Sequence, residues 1–400
     1  MNKQPYKEQD PALYACIAAE EERQQTTLEM IASESIQPKE VLALSGGVFN
    51  NKTAVGRIGH QRLLGSQNAD ALEALAAARA CEIFGADHAI MSTYSGSVSN
   101  FCAYAAVLRP GERALAMDPK TGAHQSHGAK GNISSTIYDF SFFGLEEDTL
   151  DIDYADAEKK AKALSPKLMV IGSAAYPRTI DYERLAHIAH FTGLAAAGVS
   201  PNPVPYADIV TASTTKTMCG PHSGFILCKS ALAEAVEKSI YPGYVSSLHL
   251  QTVAAMAYTL RRSQTPEFGA LMRAVVSNAK ALCAALQKRG FAIFTGGTDC
   301  HLFLLDLRPY GMDGVRFAEA LEQTGITTNS KAIPYDPSPV PMGIRAGTTV
   351  LTQRGMREKE MEEIAEIYAI LAKNQADEKT IAALRPRVRA LADAFPIRDL

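Results

Sequence analysis

The sequence predicts an α/β protein with a mainly parallel sheet and a smaller second domain. Short apolar runs alternate with stretches of helical periodicity, as strand–helix–strand crossovers require. The chain has 400 residues, too many for one simple core. At 46% hydrophobic and 21% charged, its composition is that of an ordinary globular enzyme rather than a disordered chain.

The elements follow in order. The opening MNKQPYKEQD is polar, with no secretory apolar region, and no apolar run approaches the roughly 18 residues of a membrane helix. A cytoplasmic protein without a membrane segment is expected. Residues 10–28 read as an amphipathic arm with no partner in their own domain. Residues 69–84 form a helix with Leu72, Leu75, Ala76 and Ile83 on one face. Strands are expected at HAIM (88–91), ALAM (114–117), LMVIG (168–172), ADIVTA (207–212) and GFILCK (224–229). A helix over 95–108 joins the first two. After LMVIG come a helix over 182–190 and then HFTGLAAAGVSPNPVPY, with no β-branched run where the alternation demands a strand. Residues 254–289 read as helix broken at Pro266, a connector into a second domain with strands FAIFTG and HLFLLDL and helices from Gly314 and Arg357. The expected boundaries are an arm over 1–45, a large domain over 46–270 and a small α+β domain over 271–400. A net charge of -3 without a long basic block gives no electrostatic footprint for nucleic acid. Seven cysteines, odd in number and without a CxxC pair, read as reduced thiols.

Four stretches carry chemistry. TYSGSVSN (93–100) follows a strand and opens a helix, where backbone N–H groups and the helix dipole can hold a phosphate, with Ser95 and Ser97 adding hydroxyls. The same turn also serves as an ordinary helix cap. In TASTTKTMCGP, Lys216 sits among small hydroxylated residues, either as a lysine snorkelling from a strand end or as a desolvated amine able to form a Schiff base. His124 and His127, in TGAHQSHGAKG, could ligate a metal or stack on a flat ring. GIRAGTT places Arg345 between glycines, suited to a bidentate grip on a carboxylate or to a surface turn. A phosphate clamp, a stacking histidine, a Schiff-base lysine and a carboxylate-binding arginine together describe a pyridoxal phosphate (PLP) enzyme acting on an amino acid.

Nearly the whole chain resembles serine hydroxymethyltransferase, a fold-type-I PLP-dependent transferase. The resemblance runs in register through DPALYACIAAEEERQQTTLEMIASES, GADHAIMSTYSGSVSN, PNPVPYADIVTASTTKTMCGP, TPEFGALMRAVVSNAKAL, GGTDCHLFLLDLRPYG and GIRAGTTVLTQRGM. It implies that Lys216 bonds the cofactor aldehyde, that Ser95 and Gly96 hold the phosphate, and that His124 stacks on the pyridine ring. It further implies that His190 lies near the cofactor's 3-hydroxyl, and that Ser33 and Arg345 bind the substrate carboxylate. Ser246 and Ser247 would receive the phosphate across the interface of a homodimer or tetramer. Serine, glycine and tetrahydrofolate are the implied substrates.

The departures from the resemblance are as specific as the matches. About a dozen residues of the family pattern are absent before His190, removing the missing strand and the aspartate that pairs with the pyridine nitrogen. No Asp lies between Asp181 and Asp208; His187 is the nearest polar substitute. A tyrosine and a proton-transferring glutamate are replaced by Thr53 and Val55, and paired tyrosines by Leu63 and Leu64. An arginine is replaced by His222, and a folate-pocket leucine by Gln125. Two readings stay open: a PLP enzyme interconverting serine and glycine or cleaving 3-hydroxy amino acids, and a non-catalytic paralogue that keeps the fold and binds a partner or ligand.

Overall fold

The computed structural model describes residues 6–184 and 192–398. The expected strands form where buried apolar runs predict them, at His88–Thr93, Arg113–Met117, Leu168–Val170, Ile209–Ser213 and Gly224–Cys228. A further strand, Asp139–Phe143, escapes sequence reading because DFSFF mixes polar and apolar residues at a sheet edge.

The expectation of a mainly parallel sheet is met in part. Arg113–Met117 lies parallel between Asp139–Phe143 and Leu168–Val170. The other three strands form a separate sheet in which Gly224–Cys228 runs antiparallel to both neighbours. Among the described residues no strand joins the two sheets, and none lies between Leu168–Val170 and Ile209–Ser213. That is where the sequence lacks a β-branched run. The greater part of the expected helix over 182–190 lies outside the described residues, as do His187 and His190.

The helix over 69–84 forms as Gln67–Phe84, but its buried stripe is Ala69, Glu73, Ala76, Ala80 and Phe84. Leu75 is exposed instead of buried, because close packing against the helix Leu250–Ser263 favours alanines. The break at Pro266 is real and separates Leu250–Ser263 from Pro266–Lys288, where Pro occupies the first helical position after the Thr265 cap. By length and composition Pro266–Lys288 is apolar enough to span a bilayer, although Arg273 and Lys280 interrupt its apolar run. Its buried side chains recur at helical spacing: Met272 and Val275 pack in a core with Leu194 and Leu302, while Leu282 and Leu286 join the core of Glu358–Lys373.

The C-terminal sheet is antiparallel, ordered Ala292–Ile293, Leu302–Asp306, Gly343–Gly347, Asn329–Lys331. Phe303, Leu305, Ile344 and Ala346 share one core with the helices Gly314–Thr324, Glu358–Lys373 and Glu378–Ala394. Leu28 and Met30 enter the same core, and Leu28–Glu29 pairs in parallel with Ile326–Thr327. The preceding helix, Pro11–Thr26, buries none of its side chains. Its apolar residues, Ala12 through Ala19, run consecutively around the helix, so the expected amphipathic stripe is absent.

Candidate functional site

A cavity of about 220 Å³ opens at the ends of strands from both large sheets. Gly172 and Ser173 follow the parallel strand Leu168–Val170, while Thr211, Ala212 and Ser213 end the strand Ile209–Ser213. Ser95, Gly96 and Ser97 close one side. Ser95 caps the 12-residue helix Gly96–Val107 by accepting the Val98 N–H at 3.2 Å. The cap leaves other first-turn N–H groups for a ligand. Two close approaches shape the turn: a side chain on Gly224 would lie 2.7 Å from the Ser95 backbone, and one on Gly96 would touch Ser213.

The hydroxylated run around Lys216 folds back on itself. Thr214 donates its hydroxyl to the Pro221 carbonyl and accepts the Gly220 N–H at its own carbonyl, at 2.8 Å. Thr217 accepts the Gly193 N–H. Gly220 presses against Thr259, where a side chain would come within 2.8 Å. The small residues therefore build a tight loop that presents Lys216 to the cavity. Its ammonium is half-buried and makes no hydrogen bond or ion pair to a described residue. Burial first, and the charge of Arg345 second, bring its pKa down to about 7.

His124 and His127 have different roles. His127 is buried with Nδ1 2.5 Å from the Tyr104 hydroxyl, and burial holds its imidazole neutral, with a pKa of about 3. His124 lies on the cavity wall, and its pKa falls to about 4 through burial and the charges of Lys216, Lys331 and Arg345. Its Nδ1 accepts the Ser126 N–H at 3.2 Å, so the neutral ring carries its proton on Nε2. Asn100 Nδ2 donates to Ser126 Oγ at 2.7 Å, and Thr211 Oγ1 donates to Asn100 Oδ1 at 2.6 Å. This chain of neutral groups ties the helix, the His124 loop and the strand Ile209–Ser213 together. No cluster of three or more His, Cys, Asp or Glu suited to a metal occurs among the described residues.

Arg345 stands within a strand, not on a surface turn. Its guanidinium donates to Asn329 Oδ1 at 3.2 Å and to the Ala174 carbonyl at 2.9 Å. Ala174 is placed by Gly122, whose carbonyl accepts the N–H groups of Ala174 and Ala175. Arg345 is half-buried, burial lowers its pKa, and no described carboxylate pairs with it.

Other predicted residues lie apart. Ser33 lines a neighbouring cavity with Thr215 and His222, not the cavity of Lys216. Ser246 and Ser247 also lie off the Lys216 cavity, and the Ser247 carbonyl accepts the Tyr94 hydroxyl. Thr53, Leu63, Leu64 and Gln125 are exposed, and Val55 is half-buried. Sequence reading missed Asn100, Ser126, Thr211 and Lys331. Asn100, a polar residue opening the apolar run NFCAYAAV one turn after Gly96, carried the clearest signal.

These residues fit much of PLP. The helix N-terminus suits its phosphate, the unpartnered Lys216 amine suits its aldehyde, and Arg345 suits the carboxylate of an amino acid. The pyridine nitrogen finds no such match, since among the described residues no acidic side chain lines the cavity. The sequence model of the serine hydroxymethyltransferase family matches residues 6–368.

Proposed function

The chain belongs to the serine hydroxymethyltransferase family, and from that premise we propose that it carries PLP on Lys216 and uses it on a 3-hydroxy amino acid of the serine type, with impaired folate-dependent turnover. The observation that carries this reading is the half-buried Lys216 amine, unpaired and brought to a pKa of about 7, in one cavity with the helix N-terminus at Ser95.

When bound, PLP supplies an electron sink conjugated to the α-carbon of the amino acid. The chain's own residues hold and orient the reactants. The N–H groups after Ser95, with the hydroxyls of Ser95 and Ser97, receive the phosphate. With a pKa of about 7, Lys216 Nζ is half neutral at pH 7 and largely neutral above it, so it would hold the cofactor aldehyde and, once displaced by the amino acid, could take a proton from the α-carbon. Arg345 would grip the carboxylate and so fix the orientation of the amino acid. His124 offers a flat neutral face and an Nε2–H donor. Val55, where the family pattern has a glutamate, can move no proton, so tetrahydrofolate-dependent transfer of the hydroxymethyl carbon is the impaired step.

A second reading, a non-catalytic paralogue that binds a ligand or partner, is favoured by the neutral hydrogen-bonded chain of Asn100 and Thr211, which line the cavity, with Ser126. Absorption spectroscopy with PLP separates PLP attachment from its absence. The expected result is a visible band bleached by borohydride, with mass gained on the Lys216 peptide; absence of both at saturating PLP overturns the proposal. Serine cleavage measured with and without tetrahydrofolate then distinguishes a slow enzyme from a paralogue with none.

A further inference from the structure

The C-terminal sheet has two faces of opposite character. Phe303, Leu305, Ile344 and Ala346 point into the C-terminal core. By strand alternation Leu304 and Arg345, which are cross-strand partners, share the other face. Asn329 stands opposite Arg345 on the next strand, and Lys331 follows two residues on, so Lys331 lies on that same face diagonal to Arg345. Leu304 packs with Tyr176, and Arg345 reaches the Ala174 carbonyl, so this face is turned toward the cavity wall.

Lys331 is half-buried and makes no ion pair or hydrogen bond among the described residues. Its charge acts on His124 together with those of Lys216 and Arg345. Burial, then Arg345, lowers its pKa, and no carboxylate among the described residues offsets the repulsion. Like Arg345, it is not among the residues that line the cavity of Lys216 and Ser95. Two cations side by side without a protein counter-ion are costly, and a ligand with two negative groups relieves that cost. A serine-type amino acid brings only one, the α-carboxylate.

We propose that Lys331 binds a carboxylate on the side chain of the amino acid, so that among 3-hydroxy amino acids this site prefers one with an acidic side chain over serine. The inference rests on the reading that Arg345 takes the α-carboxylate. It is tested by calorimetric titration of the PLP-loaded protein with L-aspartate, its neutral isostere L-asparagine, and L-serine. Aspartate is expected to bind about tenfold more tightly than asparagine, in keeping with a charge-assisted contact. Lys331→Gln should abolish that ratio, while Lys331→Arg, which keeps the charge, should retain most of it. Unchanged thermal unfolding of both variants establishes that they fold. Equal binding of aspartate and asparagine in the native protein, or an unchanged ratio in Lys331→Gln, overturns the inference alone. So does a Lys331→Gln effect confined to tetrahydrofolate, whose tail carboxylates offer the same chemistry. If serine, aspartate and asparagine all fail to bind, the amino-acid reading falls with it.

Discussion

Lys216 is held in a form that an exposed lysine would not adopt. Its folded-state pKa of about 7 lies below the ordinary 10.5, because burial and Arg345 disfavour the charge. Above pH 10.5 the amine is neutral whether folded or not, and it costs nothing. As pH falls from 10.5 to 7 the unfolded chain takes up a proton that the folded site refuses, so stability drops, and below 7 the full penalty remains. Lys216→Met should therefore raise the unfolding temperature of the cofactor-free protein by roughly 4 °C or more near pH 7, with little gain at pH 10.5. A gain independent of pH would show that the methionine merely packs better. Cofactor attachment should follow the folded-state titration alone, its rate rising with pH through about 7 and levelling above it as the neutral amine dominates. Arg345→Lys should keep the charge but lose the two-pronged grip, weakening amino-acid binding about tenfold in a spectral titration while leaving cofactor attachment in place.

The helix Gln67–Phe84 buries Glu73 toward the hairpin formed by Gly56–Arg57 and His60–Gln61, where its closest polar partner is the Gln61 amide at 3.4 Å. Burial, with the Asp70 charge behind it, raises the Glu73 pKa from the ordinary 4.5 to about 7. The sign is opposite to that of Lys216: below pH 4.5 the group costs nothing, and the cost accumulates as pH rises to 7 and persists above it. Glu73→Gln should therefore raise the melting temperature at pH 8 and leave it nearly unchanged at pH 4.5; the reverse pattern would mean that the carboxylate stabilises the hairpin. This acid was invisible in the sequence, where residues 69–84 suggested a leucine face and the helix buries an alanine stripe instead. Elsewhere legibility followed burial. Four of the five expected large-sheet strands start within one residue of the observed ones, because both their faces are covered and their apolar runs are continuous. The glycines of GIRAG left a carboxylate grip or a surface turn open, yet Gly343 is demanded within the sheet by the Leu305 carbonyl, which a side chain there would meet at 2.8 Å. Lys216, His124 and Ser95 were legible because their own local motifs build the loops that present them. Asn100, Ser126, Thr211 and Lys331 join the site only through contacts between distant elements, which no local motif records.

At the scale of the molecule, the N-terminal helix and the C-terminus meet on one buried cation. Arg354 is 6% exposed and donates to the carbonyls of Gln24, Gln25 and Thr27 at the end of the helix Pro11–Thr26, and to those of Ala392 and Phe395 at the end of Glu378–Ala394. Two helix C-termini, each negative by its dipole, thus share one guanidinium. Arg354→Met should cost about 3 kcal/mol in denaturant unfolding, as breaking a buried charged network does, and should expose residues 11–27 to proteolysis. A protected arm in that variant would mean that Leu28 and Met30 suffice as anchors. Anchored at one end, the helix Pro11–Thr26 still leaves Leu13 exposed, and the segment near Val55 leaves Val48 at 79% and Leu64 at 95% exposure. An arm held firmly in place without burying its own side chains is arranged to cover something else, and the family to which the chain belongs is typically oligomeric. We therefore expect a homodimer in which the arm packs on a second copy. Sedimentation at micromolar concentration should give twice the 43.0 kDa chain mass. Deleting residues 6–26 should shift the protein to the monomer while Leu28 and Met30 keep the C-terminal core intact. A full-length chain that sediments as a stable, PLP-loaded monomer refutes the expectation, and a deletion that stays dimeric moves the interface from the arm to the apolar segment over 48–64, where Leu64→Asp then becomes the deciding variant.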